Sequence, residues 1–274
     1  MGLDKVRIGA VEVTRLAIGG NPFSGFSHQG SQRDRAMRKY YTVGRIKEAL
    51  HKAEAAGINT FFGRTDNHVV RMLEEYWDEG GKIQWIAQTA SEVEDFIRSI
   101  NVAGGAAKGC YLHGGQSDVY FRNQQWDNFR KALARMRELK LAAGFAAHRP
   151  EVHEWIRDNT DPDFQLTCYY DPSPRIDKPD HVPTDSEKFD DAHRDRVARM
   201  IGTLKASAVH YKVLAAGRKR PEDAFAYVAN VIRPRDVVLV GFYLGDDPDM
   251  IAKTVKLFEQ IVQPRLARVP AGAK

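Results

Sequence analysis

Six of the nine histidines follow short apolar runs or sit in the connections after them: His28, His68, His113, His148, His181 and His210. Imidazole changes charge nearest to neutral pH and is a common metal ligand, so such a set could move protons or hold an ion. His113, His148 and His210, with Asp66 as a fourth candidate, could bind zinc, manganese or iron. An open position on that metal would polarise a substrate oxygen. No HxH or HExxH pair fixes this set. A metal-free reading gives acid–base work to His113, His210 and Lys212, the lysine acting as general base or forming a Schiff base. A third reading makes the histidines satisfied structural groups in a protein that binds without turnover. His28 and His181 lie in connections and read as solvated, and His51, His153 and His193 read as surface groups on helices.

Lys212 is flanked by Tyr211, Val213 and Leu214. Burying its charge without a partner would cost several kcal/mol, so it is expected in a polar mouth or beside Asp66 or Asp171. Asn21, Arg64, His68, Tyr170 and Arg218 add hydrogen-bonding groups suited to a hydroxyl-rich substrate, a carboxylate or an oxidised sugar. Phe23, Phe26, Tyr40 and Tyr41 could stack on a sugar face.

These residues need a scaffold that brings the ends of many short runs together. Apolar runs at 14–18, 58–62, 83–87, 109–113, 141–147, 164–170, 207–214 and 237–240 alternate with helical periods. Val43, Ile46, Leu50 and Ala53 make one stripe of a helix over 43–56, stopped by Gly57. Trp126, Phe129, Leu133 and Met136 make another, and Ile251, Val255, Phe258 and Val262 a third. Further helices are expected around 69–76, 93–100 and 191–204, from Glu151, and from Pro221, which suits a first turn. Eight strand–helix units in one chain predict a single (β/α)8 TIM barrel domain over 1–274. A doubly wound sheet would show a phosphate turn after its first strand, and Gly19-Gly20-Asn21-Pro22 is no GxGxxG. Two connections, 21–41 and 171–190, are too long for turns and are expected to form lids over the strand ends.

Composition narrows the partners. Net charge is +5 and the isoelectric point about 9.1, yet acidic residues are interleaved almost everywhere, and the densest basic cluster, Arg218-Lys219-Arg220, adjoins Glu222 and Asp223. Without a basic and aromatic stripe, nucleic-acid binding is not expected. No apolar run reaches the roughly 18 residues of a membrane span, and no secretory leader is seen, so a cytoplasmic protein with a small-molecule partner is expected. Nothing in the pattern speaks to oligomeric state. Cys110 and Cys168 sit in apolar runs and are expected to be buried thiols.

The order of segments resembles the aldo/keto reductase superfamily along nearly the whole chain. KVRIGAVEVTRLAIGG resembles that family's N-terminal β-hairpin plug and first strand, and ALHKAEAAGINTFF its first helix and second strand. YLHGG, TCYYDP, HYKVLAAG and VVLVGFYLGDDPDMIAKTV follow in the family's order. The resemblance implies an NADPH-dependent reductase with an Asp, Tyr, Lys and His tetrad. Here Phe62 stands at the aspartate, Asn67 or His68 at the tyrosine, and Gln88 at the lysine, leaving only His113. Ala146-Ala147 replace the carboxamide-holding Ser-Asn pair, Thr167 replaces a glutamine, and Tyr211 stands where a tyrosine stacks on nicotinamide. Asp246 and Asp247 fall where a basic phosphate clamp is expected. NADP is therefore not expected. The chain reads as a non-redox enzyme acting beside a carbonyl on a sugar-like molecule, an isomerase, epimerase or eliminating lyase. A reductase and a non-catalytic binder are the alternatives.

Overall fold

The computed structural model describes residues 2–90, 95–170 and 189–266. An antiparallel hairpin opens the chain, β1 (Lys5–Ile8) against β2 (Val11–Thr14), with Lys5 opposite Thr14. Eight parallel strands then close into a barrel: β3 (Leu16–Gly19), β4 (Thr60–Arg64), β5 (Gln84–Gln88), β6 (Gly109–Leu112), β7 (Ala142–Ala147), β8 (Phe164–Cys168), β9 (Ser207–Tyr211) and β10 (Val237–Gly241). β10 returns beside β3, pairing Val238 with Leu16. The expected TIM barrel is the observed fold.

Strand alternation sorts the side chains. Ala17, Phe62, Ile86, Tyr111, Phe164, Leu166, Val209 and Leu239 point inward and pack together. Val6, Ile8 and Val13 of the hairpin join them, so the hairpin is the floor plug that the sequence implied. The alternate residues, such as Phe61 and Phe145, face the helices α2 (Val43–Ala55), α3 (Asn67–Asp78), α4 (Phe96–Gly104), α6 (Trp126–Glu138), α7 (Pro150–Asn159), α8 (Asp191–Ile201), α9 (Pro221–Val231) and α10 (Met250–Ile261). Each large apolar side chain buried there contributes about 1.5–3 kcal/mol. The short α11 (Gln263–Leu266) follows α10. Cys110 and Cys168 are both buried in strands, as expected.

Two helices were not expected. α1 (Ser31–Tyr40) forms inside the first long connection, and α5 (Gly114–Arg122) follows β6 directly. α5 begins with two glycines, poor helix formers, yet its residues are largely buried against β7. Tertiary packing overrides the local preference there. Residues 171–188 of the second long connection, including His181 and Asp171, lie outside the described residues. Among the described residues no helix is long and apolar enough to cross a membrane.

Candidate active site

A cavity of about 710 Å³ opens at the C-terminal ends of the strands. Its floor is the top layer of the barrel interior, Phe62, Ala146, Leu166 and Leu239. Above that layer the wall becomes polar. Gln88 ends β5, and the Tyr111 hydroxyl of β6 donates to its Oε1 at 3.0 Å. Burial pushes the Tyr111 phenol well up, so it stays a donor and turns the Gln88 amide nitrogen the other way.

His113 and His148 line the next sector. His113 leaves β6 as the residue before α5, and its backbone N–H donates to Thr89 Oγ1 at 2.9 Å. His148 follows β7 and is gripped from α5. Its backbone N–H donates to Asp118 Oδ1 at 3.2 Å, and its Nδ1 lies 2.6 Å from Asp118 Oδ2. That contact makes Nδ1 the protonated ring nitrogen and Nε2 the acceptor. The fit is close. A Cβ on Gly114 would stand 2.8 Å from His148 Cε1, so only glycine lets α5 start there.

Lys212 lies just past β9 and lines the same cavity. Its Nζ donates toward His28 Nδ1 at 3.5 Å. Both residues have left-handed backbones, φ +58° and +57°, a conformation that costs a non-glycine residue about 1–3 kcal/mol. Surrounding bonds hold them there. Gln29 Nε2 donates to the Ala216 carbonyl at 2.5 Å, and Arg218 Nη2 to the His28 carbonyl at 2.9 Å. Asp34 of α1, buried, accepts the Ser27 amide at 2.9 Å. Arg33 of α1 pairs with Asp246 beyond β10 and lies over the Tyr243 ring. The first connection thus roofs the sector above β10, β3 and β4, and Phe26 within it meets Arg64 of β4 at 5.7 Å.

Several expected site residues stand elsewhere. His210 is fully buried and alternates with the inward Val209 and Tyr211, so it faces the helices. Its Nε2–H donates to Asp236 Oδ2 at 3.1 Å and its Nδ1 accepts from the Tyr169 hydroxyl at 2.8 Å. Burial pushes the Asp236 carboxyl up, but hydrogen bonds from His210 and Arg233 outweigh it and hold the carboxyl well below the usual range. His210 is a structural residue, and the ligand set His113, His148, His210 is not brought together. Among the described residues no group of three or more His, Cys, Asp or Glu side chains could hold a metal ion.

Asp66 is likewise corrected. It caps α3, accepting the Val69 amide at 3.0 Å and Arg64 Nε at 3.1 Å, and does not line the cavity. His68 is exposed on α3, and Tyr170 is buried, its ring 5.4 Å from that of Phe189. Arg218 locks the first connection rather than lining the wall. His153 and His193 are buried, not surface groups. His153 Nε2 lies 3.2 Å from the Ala147 carbonyl oxygen and its Nδ1 2.7 Å from Gln165 Oε1. Asn21, Arg64, His113, His148 and Lys212 do line the cavity. Sequence reasoning missed Asp118 and the Tyr111–Gln88 pair.

No family model matches the sequence, and no curated protein matches it. Solved structures do. A Pseudomonas aeruginosa protein assigned to the aldo-keto reductases superposes with a TM-score of 0.65 at 14% identity, over 94% of this chain and 96% of its own. An aldo-keto reductase from Bacillus halodurans, in its holo form, gives 0.62 at 10% identity over 98% and 96%. The fold is that of the aldo/keto reductases. A truncated 3-deoxy-D-arabino-heptulosonate 7-phosphate synthase from Thermotoga maritima is also similar, at 0.52 and 13% identity over 96% and 90%. At such identities the likeness carries the fold alone, and the activity must come from the site.

Proposed function

We propose that this barrel catalyses proton transfer next to a carbonyl group on a small, polar, sugar-like molecule, as an isomerase, epimerase or eliminating lyase. The observation that carries the reading is the Asp118–His148 pair on the cavity wall. A carboxylate behind Nδ1 orients the imidazole and fixes its tautomer, which turns Nε2 to the cavity as a general base. Gln88, held by Tyr111, offers an amide N–H to the carbonyl oxygen, where charge develops as the neighbouring proton leaves. His113 stands on the same wall as a second proton carrier.

Reductase chemistry is the second reading, favoured by the solved aldo-keto reductases among the structural neighbours. Tyr211 on the wall and an outer arm past Phe242, Tyr243 and Met250 speak for it. The residues toward a nicotinamide dinucleotide speak against it. Ala146 offers no polar side chain to the cavity, and Thr167 turns its hydroxyl to the Val209 carbonyl at 3.4 Å. Asp246 and Asp247, held by Arg33 and Lys253, put carboxylates where the clamp for a phosphate would stand. We therefore infer a reaction without that cofactor.

The test is exchange of the hydrogen beside the carbonyl, followed by NMR in deuterated water on small hydroxyaldehydes and hydroxyketones. Catalysed exchange that His148→Gln abolishes supports the reading. Tight NADPH binding by fluorescence titration, together with no exchange, replaces it with the reductase.

A further inference from the structure

We propose that Lys212 forms a covalent iminium with the carbonyl carbon of the substrate, making the ligand of this cavity an aldehyde or ketone that is held by a bond. The inference rests on the carbonyl reading above and adds the nucleophile to it. Lys212 and His28 both line the cavity, and their side-chain nitrogens stand 3.5 Å apart. Lysine attacks only as the neutral amine, so a neighbour that can take its proton is the first requirement. A neutral imidazole nitrogen is such a neighbour. Lys219, also on the wall, is held by Asp191 at 2.8 Å, and that hydrogen bond raises its pKa.

The backbone points the same way. Lys212 and His28 come from connections that leave different strands, and each sits in the left-handed region that glycine would occupy without strain. A strained lysine that only covered surface could relax. Here the bonds from Gln29 to Ala216 and from Arg218 to His28 hold the strained pair together over the cavity.

The chemistry balances with these groups. The Lys212 ammonium gives a proton to His28 Nδ1, and the freed amine adds to the carbonyl carbon as the C=O π bond breaks. The oxygen takes the proton back from the His28 imidazolium, giving a carbinolamine protonated on nitrogen. That nitrogen gives a proton to His28 Nδ1, which passes it to the hydroxyl; the hydroxyl leaves as water while the freed nitrogen lone pair forms the C=N bond. The sum is one ammonium plus one carbonyl giving one iminium and one water. His148 Nε2 then removes the adjacent C–H proton, its electrons passing into the iminium as an enamine. Reprotonation at carbon and addition of water return the lysine, with no oxidant or reductant consumed.

The experiment incubates the full chain with glycolaldehyde, dihydroxyacetone or pyruvate and traps with borohydride, reading intact mass and then peptides. The expected result is one label, equal to the carbonyl compound less one oxygen atom, located on Lys212. It should vanish in Lys212→Arg and in Lys212→Asn, the second chosen because asparagine tolerates the left-handed backbone. Circular dichroism and the melting temperature establish that the variants fold. No label on Lys212 with any of the three probes, or labelling no stronger than on Lys219 or the exposed Lys256, overturns the inference. The proton-exchange assay separates the two claims. Exchange that persists in Lys212→Arg ends the iminium and leaves the acid–base reading standing, whereas trapping on Lys212 without exchange does the reverse.

Discussion

Asp118 holds His148 at two points, the backbone amide at one carboxylate oxygen and Nδ1 at the other, 2.6 Å away. The acid belongs to α5 and the base to the end of β7, so the pair exists only once the helix has packed on the barrel. It sets one tautomer of one imidazole at the cavity wall.

Replacing the base should remove most of the exchange, since a positioned general base contributes about 10²–10⁴-fold. Asp118→Asn should lose part of that through kcat with KM little changed, because the amide can favour the opposite tautomer. The rate against pH should also shift, as the imidazolium loses its carboxylate. An unchanged pH profile in Asp118→Asn would show the pair to be packing only.

Asp236 should be a stability residue without a catalytic phenotype. Asp236→Ala leaves the buried His210 and the partly buried Arg233 without their shared acceptor, a loss of roughly 3–5 kcal/mol for a broken buried pair. Its native carboxyl titrates below the unfolded value of about 3.9, so its contribution is complete above that pH and disappears as pH falls through the native value. Urea midpoints across acid pH should therefore converge for wild type and Asp236→Asn. Midpoints that stay equally separated down to strong acid would contradict this.

His153 acts in the same direction through a different group. Burial lowers its tendency to bind a proton, outweighing its bonds to Gln165 and Ala147. Below the unfolded value of about 6.5, the unfolded chain takes up a proton that the native chain refuses, so stability declines as pH falls toward the native value. His153→Gln should be less stable near neutrality and show a flatter slope between pH 6.5 and 5. Parallel slopes would count against a buried neutral imidazole.

A side chain at Gly25 should strain the roof. The glycine's φ is +74°, and a Cβ there would lie 2.4 Å from Arg38 Cγ. Gly25→Ala should cost about 1 kcal/mol or more. Hydrogen exchange should rise in residues 26–30 ahead of the barrel strands. A uniform rise across the strands would mean that the roof is not a separate unit.

The barrel was legible because each covering helix carries a clear apolar stripe and the strand runs recur between them, as with Phe129 and Met136 or Val255 and Phe258. The site was legible only in part. His210 was assigned to the mouth with Tyr211 and Lys212, yet a strand turns successive side chains to opposite faces, and Val209 with Tyr211 already claimed the interior. His193 shares the buried stripe of Val197 and Met200, so its burial too could have been read from spacing. Asp118 could not. Its helix opens with Gly114 and Gly115, has weak local preference, and exists through contacts made by distant parts of the chain.

The fastening of the first connection across to Ala216, Arg218 and Asp246 has a kinetic corollary. A molecule entering beneath that roof has to wait for the fastening to release, so capture becomes a two-step event. At rising concentration the observed association rate should level off at the release rate, and Arg33→Ala should raise that ceiling.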